Sequence, residues 1–278
     1  MNIAVMAPHV HGNGITTVAA LVASELANRN KRVCLSHVRS ISESFFPYFS
    51  LKETENLNPK MLTALVKQNS MDKNSIQNYC RKINDWMDLF SMDTPMEEGE
   101  LSKEDISAVV QFMLKSNSYD YMIYDVDENN LDDPCVQDVI EGTDCVILVL
   151  TQATTELKRY NEVKKKFLRP LIDKHIPCIT VINKYDQLYG KVSEIAARVG
   201  VTDKSKVKKW QILTYNRYIP YCENKGNLNL LMEQMKSRQA EVIDVDTDVK
   251  NICKQISNVE YGKKRVKYNS DQVKVKGD

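Results

Sequence analysis

Excess charge of either sign is absent: 38 Lys and Arg stand against 37 Asp and Glu, a formal net charge of +1. No overall field therefore draws the chain to nucleic acid or to an anionic membrane, and the balance argues against nucleic acid as a partner. Long hydrophobic runs are missing too. No apolar stretch approaches the ~20 residues that span a bilayer. Nor is there a signal-peptide pattern, because Met1 leads straight into a strand-like run. Closely spaced cysteines are also lacking. The seven cysteines are an odd number scattered from Cys34 to Cys253, which argues against a disulfide framework and for a reducing, cytoplasmic compartment. No internal repeat is visible. The 278 residues suffice for one large or two small domains, and 42% are hydrophobic, enough for a sizeable core.

What is present alternates between strand and helix. Ile3–Ala7 and Arg32–Val38 read as strands, with a helix at Thr17–Asn28 between them. Tyr121–Val126, Cys145–Leu150 and Cys178–Ile182 are continuous apolar runs of strand length, as expected where both faces are buried in a parallel sheet. Trp86–Ser91 and Gln211–Thr214 are shorter strand candidates. Helical spacing appears at Pro59–Lys67, Lys73–Lys82, Ser102–Lys115, Thr155–Lys174, Val192–Val199 and Asn227–Arg238. Ser102 followed by Asp105 is an N-cap signal. This order implies βα units with right-handed crossovers in an α/β, doubly wound, mostly parallel sheet.

The strand at 3–7 runs into Gly12-Asn13-Gly14-Ile15-Thr16-Thr17 and then a helix. A phosphate-binding loop would read Gly-x-Gly-Lys-Thr-Thr in that strand–loop–helix setting. Its glycines let backbone N–H groups wrap phosphates, its Lys reaches the β- and γ-phosphates, and its hydroxyl holds Mg²⁺. Here the glycines and the Mg²⁺-binding hydroxyl of Thr16 are in place, and the cation is replaced by Ile15. A plain glycine-containing turn would read the same way over six residues. Two further pieces favour the phosphate loop. Asp125 closes an apolar strand, as the Mg²⁺-side carboxylate does in such proteins. Asn183-Lys184-Tyr185-Asp186 closes another, in the place where an Asn binds the base.

With these pieces in order, the chain resembles the ParA/MinD family of deviant Walker A ATPases across residues 1 to 241. The match runs through Gly14, Thr16-Thr17, the strand ending at Asp125, Thr143–Thr154, Asn183, and Ile219-Pro220-Tyr221. The resemblance implies a P-loop NTPase fold of about seven or eight strands flanked by helices. It implies ATP or ADP with Mg²⁺ as cofactor, a homodimer, and a protein partner in a polar or membrane-associated complex. Members position plasmids, chromosomes, division sites, flagella and secretion machines.

The implied nucleotide residues are Gly12, Asn13, Gly14, Ile15, Thr16, Thr17, Asn183 and Pro220, with Thr16 and Asp125 at the metal. The departures all concern chemistry. The family's first loop Lys is Val10, its second is Ile15, and its Asp-x-Asp after the second strand aligns with His37 and Arg39. Phosphoryl transfer depends on positioning and charge. One preorganised electrostatic contact can be worth ~3–4 kcal/mol in the transition state, so losing several removes most turnover. The expected function is thus a nucleotide-binding or pseudo-ATPase adaptor or localisation factor, closest within the family to TadZ-like pilus-localisation proteins. No catalytic residue is assigned, and a chain that binds no nucleotide is the remaining expectation for the cofactor. The alternatives are a slow ATPase that uses another cation such as Arg39, and a DNA-partitioning or mobile-element protein.

Weaker signals complete the reading. His9 and His11 flank Val10, where they would face phosphate or solvent. Cys135 follows Asp125 as in iron–sulfur relatives of the fold, but without a second suitable cysteine. Phe45, Phe46, Pro47, Tyr48 and Phe49 suit core packing or a partner contact. Residues 242 to 278 read as a polar, basic tail with one short helix carrying Val249, Ile252, Cys253 and Ile256. Six basic residues and one acidic one lie between Lys263 and Lys276. Such a tail could support peripheral membrane contact.

Overall fold

The computed structural model describes residues 1–7, 12–38, 48–51, 59–72, 75–91, 101–126, 131–199 and 210–275, the last thirteen of them as backbone only. The chain runs β1 (Asn2–Met6), α1 (Ile15–Asn28), β2 (Val33–Val38), α2 (Pro59–Lys67), β3 (Arg81–Lys82), β4 (Met87–Ser91), α3 (Lys103–Leu114) and β5 (Tyr121–Val126). It continues with α4 (Pro134–Gly142), β6 (Cys145–Leu150), α5 (Thr154–Asp173), β7 (Cys178–Tyr185), α6 (Val192–Val199), β8 (Trp210–Thr214), α7 (Tyr218–Asn224), α8 (Leu228–Lys236) and α9 (Ile243–Val275).

The eight strands form one sheet in the order β3-β4-β2-β5-β1-β6-β7-β8. Every pairing is parallel except that of β3 with β4. This is the doubly wound arrangement implied by the apolar runs. β5 and β6 are buried along their whole length because helices cover both faces. One apolar layer holds Ile3, Val5, Ile123 and Ile147 with α1, α7, α8 and α9. The other holds Ala4, Met6, Met122 and Leu148 with α2 to α6. The chain direction of the sheet's winding reverses around β1, which pairs with β5 on one side and β6 on the other. A ligand crevice is expected at the carboxyl ends of strands at such a point.

Two elements differ from expectation. Of the helix expected at 73–82, residues Ser75–Tyr79 form a 3₁₀ turn and Arg81–Lys82 pair antiparallel with β4. Ile76 is buried under the sheet edge, and the chain must reverse within a few residues to place Arg81 opposite Leu89. A tight turn followed by a short edge strand satisfies both demands.

The second difference lies at the C-terminus, where one 33-residue helix stands in place of a short one. Val245, Val249, Ile252, Cys253, Ile256 and Val259 recur at helical spacing and are buried in the α1 layer. Thr214 donates from its backbone N–H and its hydroxyl to Asp248, at 2.8 and 2.7 Å. Tyr121 donates to Glu260 at 2.7 Å. These bonds tie α9 to β8 and β5. Because α9 lies over α1, that inner helix is buried on nearly all sides.

Elsewhere the local signals hold. α3 begins with a capping box in which Ser102 and Asp105 exchange bonds. Phe49 is fully buried and bridges to Asn227, so it is a core residue. Tyr48 is exposed, and Phe45, Phe46 and Pro47 fall outside the described residues.

Candidate functional site

The loop after β1 is described from Gly12 onward; Val10, His9, His11 and Arg39 fall outside the described residues. Gly12 and Gly14 both have positive φ, 91° and 76°. Gly14 caps α1 in a left-handed conformation. A Cβ at Gly14 would stand 2.4 Å from Asn183 Nδ2, so conformation and space both require glycine there. The opening N–H groups of α1 have no partner within the helix and carry its positive dipole end, which suits an anion.

The end of β7 braces this loop. Asn183 is buried and donates from Nδ2 to the Asn13 carbonyl at 2.7 Å. Its Oδ1 accepts from the Lys184 backbone at 2.8 Å. Lys184 takes a left-handed φ of 53°, which brings its Nζ to 2.9 Å from the Gly12 carbonyl. The motif Asn-Lys-x-Asp thus acts on the loop itself: both residues satisfy loop carbonyls. Lys184 places a cation at the loop that reading the loop alone did not reveal.

Thr16 Oγ1 donates to Asp125 Oδ2 at 2.8 Å. Asp125 is fully buried at the end of β5. A hydroxyl and a carboxylate held together below a loop of N–H groups are hard oxygen donors, and they fit a Mg²⁺-class cation. Thr17 donates its hydroxyl to Glu223, which joins α7 to the loop. Pro220 lies one turn earlier on α7. Nothing in the spacing of residues 17 and 223 announces that contact, because the two meet only through the tertiary fold.

Ile15 fits differently. Its side chain is 4% exposed and belongs to the apolar layer formed with β1 and α8. It therefore offers phosphates no charge and contributes to the core instead. Any anion here would be held by backbone N–H groups, the helix dipole and nearby cations. His37 is buried beside Asp125 in the sheet register.

A cavity of about 620 Å³ adjoins the loop, walled by Gly12, Asn13, Gln152, Arg159, Lys184 and Arg198. Its size is in the range of ligand pockets. The three cations come from β7, α5 and α6, so the sequence does not show them as a cluster. Gln152 secures this wall by accepting from the Asp186 N–H and donating to its carbonyl, at 2.6 and 3.0 Å. A second cavity, about 540 Å³, lies between the ends of β7 and β8 and the start of α9. Asp186, Asp244 and Asp248 line it, so it repels phosphate.

Cys135 sits at the start of α4, where burial pushes its thiol up to about 12. Among the described residues no three of His, Cys, Asp and Glu gather as a metal set. No described helix is long and apolar enough to cross a membrane.

No protein-family model matches the sequence, and neither does any curated protein. Solved structures do match over nearly the whole chain. A ParA family ATPase from Chlorobium tepidum TLS superposes with a TM-score of 0.68 at 14% identity, covering 91% of this chain and 96% of that one. A chain of the Aquifex aeolicus MinC:MinD cell division protein complex gives 0.64 at 15% identity, covering 92% and 96%. A putative plasmid partition protein from Borrelia burgdorferi B31, bound to AMPPNP, gives 0.60 at 16% identity, covering 94% and 98%. The chain therefore has the mostly parallel, eight-stranded P-loop NTPase fold seen in ParA and MinD ATPases.

Proposed function

We propose that this protein binds ATP or ADP, with a divalent cation, and hydrolyses it weakly or not at all. The observation that carries the reading is the split within one loop. Gly14, Asn183 and the Thr16–Asp125 pair form an arrangement that suits phosphate and a divalent cation, while Ile15 lies in the apolar core. Backbone donors and a metal-binding pair can retain affinity. Without the loop lysine, little preorganised charge faces a developing transition state.

In this reading Gly12, Asn13, Gly14, Ile15, Thr16 and Thr17 contact phosphates chiefly through their N–H groups. Thr16 and Asp125 hold the metal, and Asn183 and Pro220 border the base. The nucleotide serves as a structural ligand. The protein acts as a homodimeric adaptor or localisation factor that a membrane-associated, secretion or pilus machine recruits from the cytoplasm. The Aquifex relative, named as a MinC:MinD complex, supports a protein partner. The AMPPNP-bound Borrelia relative supports the nucleotide.

A slow ATPase is the second reading. Lys184, Arg159 and Arg198 border the adjoining cavity and could supply part of the missing charge. Titration calorimetry with ATP or ADP and Mg²⁺, run beside a phosphate-release assay, separates the two. Binding without release supports the adaptor. Release that disappears in Asp125→Ala refutes it in favour of the ATPase.

A further inference from the structure

Three adjacent strands end in a row of polar side chains on one face of the sheet. In the parallel register His37 of β2 pairs with Asp125 of β5 on one side and with Ser91 of β4 on the other. Neighbouring strands lie ~4.8 Å apart, and residues two apart on a strand share a face. Val33 and Leu35, Met87 and Leu89, and Tyr121 and Ile123 all belong to the α1 layer. His37, Ser91 and Asp125 continue those three series, so they face α1. The Thr16 hydroxyl, at the first turn of α1, reaches Asp125 from that side.

The row is thus a hydroxyl, an imidazole and a carboxylate side by side, with a second hydroxyl above the carboxylate. All three strand residues are at most 5% exposed. Ser91 Oγ is buried with no hydrogen-bond partner among the described residues. Such a group is costly to bury unless something satisfies it, and its position points to a ligand in this row. The residue types also match a nucleophilic triad, but a substrate carbonyl cannot reach a serine this buried, whereas an ion can.

Magnesium demands hard oxygen ligands and retains its waters; imidazole suits Zn²⁺, Co²⁺ and Ni²⁺. We propose that His37 and Asp125, with Thr16, form a divalent-metal site with an imidazole ligand, which selects a late first-row ion such as Co²⁺ or Zn²⁺ over Mg²⁺. With only two strong protein donors, the site keeps open positions for water or phosphate. The inference rests on the nucleotide reading only for what fills those positions.

The probe is Co²⁺ alone, added to tag-free full-length protein without nucleotide and followed by visible absorption and calorimetry. The wild type is expected to bind Co²⁺ at least about tenfold more tightly than Mg²⁺. His37→Gln, which keeps a side chain of similar bulk, is expected to weaken Co²⁺ about tenfold or more and leave Mg²⁺ unchanged; losing even an outer-sphere partner commonly costs 10–100-fold. Equal Co²⁺ affinity in wild type and His37→Gln would overturn the proposal, as would equal affinity of the wild type for Co²⁺ and Mg²⁺.

A second measurement needs no variant to fold. Mn²⁺ bound to the wild type should show coupling to an imidazole nitrogen by pulsed electron paramagnetic resonance, and absence of that coupling refutes the ligand. The two readings fail separately. Nucleotide binding with Mg²⁺ but without nitrogen coupling sinks the metal inference alone. Co²⁺ binding through His37 with no nucleotide binding sinks the proposed function alone.

Discussion

Replacing Ile15 by Lys tests whether one position has exchanged charge for packing. Ile15 is 4% exposed within the layer of β1 and α8. Burying an aliphatic side chain of this size is worth about 1.5–3 kcal/mol. In Ile15→Lys the ammonium must leave that layer and turn toward the loop, so most of this burial is lost. The ligand-free protein should therefore unfold at lower urea concentration, with stability reduced by about 1.5–3 kcal/mol. In exchange, the new cation stands at the opening of α1, beside Thr16 and the phosphate-side N–H groups. A hydrogen bond to a charged group contributes about 1.5–3 kcal/mol, so affinity for Mg²⁺–ADP should rise about 10- to 100-fold.

Ile15→Ala provides the control. It should lose stability without gaining affinity, at a cost of about 2–5 kcal/mol for a well-packed site. Urea unfolding monitored by circular dichroism gives the first quantity, and titration calorimetry gives the second. Unchanged stability in Ile15→Lys would refute the assignment of Ile15 to the core. Lowered stability with no gain in affinity would mean that the loop no longer presents its N–H groups to a phosphate.

Other perturbations follow from the same contacts. Asn183→Ala removes the donor to the Asn13 carbonyl. Losing that hydrogen bond should cost about 0.5–1.5 kcal/mol, read as faster hydrogen exchange at Gly12 to Gly14 and a lower melting temperature. Ile252→Ala opens a cavity between α9 and α1. It should cost about 2–5 kcal/mol in urea unfolding, whereas a loosely attached tail would show almost no change. Asp248 is buried against β8, and burial raises its carboxyl above the ordinary value, with Asp244 adding to the shift. The native state then holds a proton that the unfolded chain has already released. Stability should fall as pH rises from the ordinary carboxylate value through the raised one. Asp248→Asn, which can still accept from Thr214, should flatten that portion of the stability–pH profile; an unchanged slope would refute the shift.

Much of the architecture was legible because burial on both faces leaves a direct mark in sequence. The runs at Tyr121–Val126 and Cys145–Leu150 could hardly be anything but central strands, and Ser102 with Asp105 located the start of α3. The loop was legible through Gly12, Gly14 and Thr16, since few other residues fit a left-handed turn that opens a helix. The segment after Lys73 misled, because short-range spacing cannot show that Arg81 must meet Leu89 across an edge. The extent of α9 was also hidden: its stripe of Val245, Val249 and Ile252 is narrow, and whether a narrow stripe is buried depends on what faces it. α1 faces it here, with Cys253 Sγ against the Val22 carbonyl.

By itself the sequence determined the alternation of strands and helices, the glycine loop before α1, and the aliphatic Ile15 that follows Gly14. These are local facts, governed by backbone sterics and by side-chain period. Only the tertiary structure decided where the substituted residues point. It packed Ile15 into the core, set Lys184 against the loop, joined Thr17 to Glu223 and lined up Ser91, His37 and Asp125. Those relations arise because strands far apart in the chain become neighbours at ~4.8 Å, and strand order cannot be read from spacing along the chain.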